Sequence, residues 1–438
     1  MSHKVRRGSG PADSTGAGAA GRIGGVLTAP TFAAALVSGL RAHGHRPSGP
    51  AGRRWSAVAD EARTLALGLV EVGVRPGSAV RIRLHAGVRP EALIAAELAV
   101  LASGAALAVD DEVGPDLELD ATALRGLGAD RPLVDVRAAG AELDRHRPAA
   151  HEERLAGIEP ADVAVLGDGL VVTHAQAVWA FRSVASWIGP AVPDGPQTVL
   201  LAPPGRETVA AALVGRWWPA ASGAALAAGD DLVAAARQAR PDIVVGDAAS
   251  WTVLADALRA EAARTRAGTT LLRRGRVLVA GEVASRAERV GRGVAERRAG
   301  ARVRSAAGLD ALALGVCLGP LDLATGRDLA AAGLPVVTSW VEPGVPAPVA
   351  SGPRARPAPA EPWGRPLPGR TIEVGPPVVV HGGDLGPAGA ASASLTEVDP
   401  RGRVLLPRPA ADRPRPSIRP APETSEALDE GAPGERSA

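Results

Sequence analysis

The chain has 438 residues, a formal charge of +2 and 46% hydrophobic residues, long enough for two or three domains or one composite one. Its positive charge is nearly all arginine interleaved with Asp and Glu, which leaves no basic stripe for nucleic acid. A lone cysteine, Cys317, excludes an intramolecular disulfide and a thiolate metal cage, and no apolar run is long and unbroken enough to span a membrane.

Taken in chain order, residues 1–28 form a Gly/Ser/Ala-rich leader that holds the only lysine, Lys4, and lacks the apolar stretch of a signal peptide. It is expected to be disordered, and the chain to be cytoplasmic. Thr31 to Leu40 reads as a short helix. Val58, Ala62, Leu65 and Leu69 then fall on one helical face, and Gly73-Val-Arg-Pro-Gly77 ends that helix. Val80, Ile82 and Leu84 alternate as a strand, and Glu91 to Ser103 gives the next helix. Asp111 to Pro160 reads as a variable connection with one strand around Pro132 to Val136. His146 and His151 there lack the spacing of a helical metal pair.

From Asp162 the pattern predicts alternating strands and helices: Val163 to Leu166, Gly169 to Thr173, helix Ala175 to Ile188, strand Thr198 to Ala202, helix Glu207 to Trp218, strand Ala224 to Ala227. Helix Asp230 to Arg240, strand Asp242 to Gly246, a helix through Trp251 and Leu258, strand Arg276 to Ala280 and helix Glu282 to Arg298 continue it. Such alternation makes a largely parallel sheet covered by helices, with a ligand at the carboxyl ends of its strands, near Gly246, Gly281 and Ser305. Cys317, in an apolar run, reads as a small core residue. Trp217 and Trp218 read as core and rim.

Some stretches carry more than periodicity. In Ala161 to Trp187 a short apolar strand enters a Gly-Asp-Gly turn, returns as a strand and opens a helix at Thr173-His174. Trp363-Gly-Arg-Pro-Leu-Pro-Gly369 is followed by two short strands, and the text from Trp55 to Asp111 runs helix, turn, strand, helix, strand. This layout resembles the adenylate-forming (AMP-binding) superfamily of acyl-CoA synthetases, peptide-synthetase adenylation domains and luciferases, over about Thr31 to Arg408. The resemblance implies an α/β fold: an adenylate-forming enzyme N-terminal domain with two parallel-type α/β subdomains, residues 29–160 and 161–362, and a small β-barrel subdomain, residues 363–408. Residues 409–438 are then a Pro-rich disordered tail, with no lid domain following.

The resemblance also implies a nucleotide site, and this chain departs from it residue by residue. The family's Ser/Thr/Gly-rich phosphate loop with its Lys is replaced by Gly167 and Asp168, between the flanks that end in Gly169 and Thr173. Two residues cannot wrap a triphosphate. Gly281 and Glu282 stand for the Gly-Gly-Glu/Ala segment against adenine. Gly308 and Asp310 stand for the Tyr-Gly-x-Thr-Glu segment, without its aromatic or its Thr. Thr338-Ser-Trp-Val-Glu342 is a rival for that segment. Both Asp310 and Glu342 read more readily as solvated carboxylates at a strand or loop end than as catalytic groups. Ser394 replaces the ribose-gripping Asp, and Arg408 matches a hinge-proximal ribose Arg.

Two functions remain. The first is a degenerate synthetase/ligase-like protein that acts by binding an acyl or aryl carboxylate, or a protein such as an active homologue. The alternative is a divergent acyl- or aryl-CoA ligase, using ATP and Mg, with lid or lysine supplied by a separate lid protein. A third reading is a fold that persists without a role.

Overall fold

The computed structural model describes residues 3–5, 28–83, 89–109, 114–126, 130–167, 169–192, 195–202, 208–279, 290–291, 294–342, 345–352, 363–374, 378–385, 389–392 and 404–405. Strand β1 (His3–Val5) comes first, followed after a gap by helix α1 (Phe32–Ala42), whose Thr31 side chain caps the Ala34 N–H at 3.3 Å. Helix α2 (Trp55–Glu71) buries the expected face of Val58, Ala62, Leu65 and Leu69. Gly73 and Gly77 leave it with φ of +99° and +78°, the left-handed backbone that favours glycine.

Strand β2 (Ala79–Arg83) leads through helix α3 (Pro90–Ala102), with proline in its first turn, to β3 (Ala106–Ala108). Strands β4 (Leu117–Asp120), β5 (Ala123–Arg125) and β6 (Arg131–Pro132) then precede helices α4 (Leu133–His146) and α5 (Ala150–Ala156). The strand expected around Pro132 to Val136 is therefore a helix from Leu133 onward. Leu133, Val136 and Gly140 are buried at helical spacing while Val134 is 70% exposed, so the apolar residues form a stripe and do not alternate. Glycines let α4 cross α2 closely: a Cβ on Gly140 would sit 1.9 Å from the Thr64 carbonyl.

Strands β7 (Val163–Gly167) and β8 (Leu170–Thr173) form a hairpin that feeds helix α6 (His174–Ile188). The first sheet has seven strands in the order β6-β5-β4-β2-β3-β7-β8, with β4, β2, β3 and β7 parallel.

The second sheet begins with β9 (Thr198–Leu201), covered by α7 (Val209–Ala212), a π-helical turn (Leu213–Trp217) and α8 (Trp218–Ala221). It continues through β10 (Ala225–Ala228), α9 (Leu232–Ala239), β11 (Ile243–Gly246), α10 (Ala248–Ala263), α11 (Arg266–Val279), α12 (Ala301–Ala306), β12 (Leu314–Leu318), α13 (Leu323–Ala331) and β13 (Val336–Trp340). Strands β14 (Ala350–Ser351), β15 (Trp363–Pro366), β16 (Thr371–Val374), β17 (Val378–His381), β18 (Ala390–Ser392) and β19 (Val404–Leu405) close the described chain. The eight-stranded order is β10-β9-β11-β12-β13-β14-β15-β19, parallel from β10 to β13.

The strand expected at Arg276 to Ala280 is absent: helix α11 runs to Val279, and β12 takes the place beside β11, pairing Leu314 with Ile243. A short apolar run fits helix and strand equally, and here the buried Leu271, Leu272 and Gly275 carry it on as helix.

The expected barrel is, among the described strands, an open antiparallel sheet of four, β1-β16-β17-β18. Trp363–Pro366 pairs with β14 and β19 in the second sheet instead. Part of the leader is ordered, since β1 pairs with β16 and sets Lys4 opposite Glu373. The Gly-Arg-Pro-Leu-Pro-Gly turn packs on α6, where the Ser183 hydroxyl donates to the Pro368 carbonyl at 2.7 Å. Arg370, just after it, is fully buried against Asp384 with hydrogen bonds of 2.6 and 2.5 Å and lies over the Trp179 ring. Burial pushes the Asp384 carboxyl up and the Arg370 guanidinium down, and their mutual attraction opposes both shifts.

One core joins the two large sheets. Phe32 meets Trp217 edge-on at 5.2 Å and lies 6.2 Å from Phe181, so these three aromatics gather where helices of both halves meet. Trp217 and Trp218 are both core, 1% and 2% exposed.

Candidate functional site

Because β9, β11, β12 and β13 run parallel, their carboxyl ends share one edge of the second sheet. A cavity of about 280 Å³ opens there, lined by Leu201 and Ala202, Val245 to Asp247, Leu318 and Val341 from the strand ends, and by Thr208, Ala211, Gly215 and Arg216 from the helix above. Its wall is mostly apolar. Asp247 is occupied in capping α10, accepting the Ser250 N–H at 2.9 Å, and the Thr208 side-chain oxygen accepts the Ala211 N–H at 3.0 Å. Gly246 keeps the floor low: a Cβ there would meet the Ala202 Cβ at 2.8 Å.

Arg216 stands in the π-helical turn, a helix irregularity that recurs at functional sites. It is 8% exposed and donates to Glu97 of α3 at 2.6 and 3.1 Å, while the Trp217 indole N–H donates to the other Glu97 oxygen at 2.9 Å. Glu97 is itself only 3% exposed, so a buried ion pair ties the cavity wall to the first half of the molecule. Removing either partner would strand the other charge in an apolar setting.

The structure separates the two rival carboxylates. Glu342 directly follows Val341 of the cavity wall, is 6% exposed, and accepts the Trp340 indole N–H at 2.7 Å. Asp310 lies at the opposite, amino edge of the sheet, where the Ala313 and Leu314 N–H groups bond the Asp242 carbonyl ahead of β11, and its carboxylate pairs with Arg240. Gly308 belongs to the same edge, with φ +72° and an imagined Cβ 2.2 Å from the Ala236 backbone. Asp310 and Gly308 are thus removed from the cavity because α12 ends below the strands. Ser305, on α12, goes with them.

Gly167 and Gly169 lie at the carboxyl end of the first sheet, where Gly167 pairs with Leu170 and Gly169, φ +72°, has open space around it. The strands close there through residues 168–169 alone. Thr173 accepts the Gln176 N–H at 3.3 Å while Gln176 reaches back to the Thr173 N–H at 2.8 Å, a capping box for α6. Gly281, Glu282, Ser394 and Arg408, with Asp168, lie outside the described residues. Among the described residues no group of three or more His, Cys, Asp or Glu is placed to hold a metal ion.

Arg216 and Glu97 are the site residues that sequence reasoning passed over. Their signal was available: each is a charge set several residues inside an apolar stretch, Leu93 to Ala102 for Glu97 and Val209 to Ala221 for Arg216, and charged residues are rarely buried without a partner. Cys317 is fully buried, and burial pushes its thiol far up, so it is a core residue as its surroundings predict.

No family model matches the chain, and no curated protein matches its sequence. Among solved structures, the chain is similar to IdnL1 at 17% identity, over 90% of this chain and 84% of that one, with a TM-score of 0.59. It is similar to coronafacic acid ligase from Pectobacterium brasiliense at 11% identity, over 85% and 78% of the two chains, with a TM-score of 0.53. A complex of VinN with L-aspartate matches at 14% identity, over 85% and 97%, with a TM-score of 0.51. Likeness at such identities is likeness of fold, and the chain carries the fold of the large N-terminal domain of adenylate-forming ligases.

Proposed function

We propose that this chain binds the body of an acyl or aryl carboxylic acid in the cavity at the carboxyl edge of the second sheet, without adenylating it unaided. The observation that carries the reading is the β7–β8 hairpin, which closes through two residues. The resemblance calls for a longer loop of backbone N–H groups around phosphates at this point, and a two-residue connection supports a site without a triphosphate. The cavity's apolar wall suits an acyl or aryl body, and Thr208 and Arg216 are the donors that face a polar group on it. The fold relative VinN was solved with the carboxylate L-aspartate, which agrees with this ligand class.

A second reading keeps the enzyme. Glu342, the rival candidate for the carboxylate that the resemblance implies for Mg, is held by Trp340 next to Val341 of the cavity wall. On that reading a separate chain supplies the lid and its lysine, and ATP and Mg enter only then. Exchange of labelled pyrophosphate into ATP, driven by a panel of acyl and aryl acids, separates the two. The first reading expects no acid-dependent exchange by this chain alone; exchange above the no-acid control would establish the second.

A further inference from the structure

A second cavity, of about 420 Å³, adjoins the first. The two share Leu201, Ala202 and Arg216, and the second extends sideways to the edge strand β10, the start of α3 and helix α9. Glu91 lines it. Glu91 is 1% exposed, and its one ion pair among the described residues is with Arg89, 3.9 Å away, beyond hydrogen-bond length, with a side chain 62% exposed. A carboxylate buried without a hydrogen bond is unfavourable unless something supplies donors to it. Room has been left around this one: Gly49 stands beside it, and a Cβ there would press to 3.2 Å of Glu91 Oε2.

The charges around the second cavity favour a cation. Among the described residues, Arg89, Arg216, Glu91 and Asp230 line it, and Arg216 is already met by Glu97, so one carboxylate of these is in excess. Gln238 is the remaining polar side chain of its wall among the described residues. We infer that the second cavity receives an ammonium group at Glu91, carried on the far end of the acid whose body lies in the first. The ligand is an amino-substituted carboxylic acid that passes Leu201, Ala202 and Arg216 from one cavity to the other. This rests on the carboxylate-binding reading of the first cavity.

Calorimetric titration of the full chain tests it with hexanoate, 6-aminohexanoate and hexylamine, repeated for acids of four to eight carbons. The amino acid of best length should bind about tenfold tighter than its unsubstituted partner, the gain of one charge-assisted hydrogen bond. Glu91→Gln should bring the pair within about twofold. Ala235→Leu, which fills the second cavity, should weaken the amino acid and leave a short acid unaffected. Thermal unfolding of each variant confirms that it folds. If unsubstituted acids bind as tightly as amino acids at every length, or Glu91→Gln leaves the ratio unchanged, the ammonium site is overturned and the first reading stands. Binding of hexylamine with neither acid would keep the Glu91 site and overturn the first reading. No binding by any of the three overturns both.

Discussion

His174 opens α6 with no exposed surface, and neither ring nitrogen has a hydrogen-bond partner among the described residues. Burial holds its pKa down to about 4 against an ordinary 6.5, with Asp162 opposing weakly. The unfolded chain therefore binds the extra proton first as pH falls. Stability tied to His174 is complete above pH 6.5 and is lost as pH drops toward 4, by up to about 3 kcal/mol. His151, 3% exposed and likewise lowered by burial, acts in the same direction. Asp120, held below the usual carboxylate range by hydrogen bonds from Thr122, adds its loss only at more acid pH. Urea unfolding between pH 4 and 7 should show the fall, and His174→Phe should flatten it; an unchanged slope in that variant would refute the assignment. This effect could not be read from the sequence, because Thr-His at a helix start does not reveal whether the imidazole is buried. Glu342 and Asp310 differ in the same way: similar carboxylates in the text, separated by which edge of one sheet they occupy.

At the scale of the element, the legible helices were those whose apolar face is regular over several turns. Helix α2 and the β7–β8–α6 unit follow their patterns because period and turn residues agree. Helix α11 does not, since its last turn, Arg276 to Val279, is as apolar and β-branched as a strand. Long-range packing decides it. On α11 a Cβ at Gly275 would lie 2.6 to 2.8 Å from Ala331 of α13, so glycine permits the two helices to touch. Gly275→Ala should destabilise by about 1–3 kcal/mol through overpacking. Gly326→Ala on α13, where the nearest atom is a Leu321 methyl at 3.8 Å, should be neutral or stabilise by up to about 1 kcal/mol. Equal urea midpoints for the two variants would contradict the close crossing. The small sheet was half legible: its strands follow the Gly-Arg-Pro-Leu-Pro-Gly turn as expected, but pairing of β15 with β14 and β19 is non-local and leaves no mark in the local text.

At the scale of the whole molecule, both sheets lean on one core of small aliphatic side chains, with Phe32, Phe181 and Trp217 at the seam. The fold was legible because turn signals and alternation recur along most of the chain. The site was less so, because its wall is assembled from strand ends and a π-helical turn far apart in sequence. Ligand-dependent thermal unfolding tests the central claim most directly. A ligand that binds only the native state adds about 2.7 kcal/mol at a hundred times its dissociation constant. Titrated separately, an acyl or aryl acid of fitting size should raise the unfolding temperature saturably, while ATP with Mg should not move it. A saturable shift with ATP and Mg, or none with any carboxylate, would contradict the account.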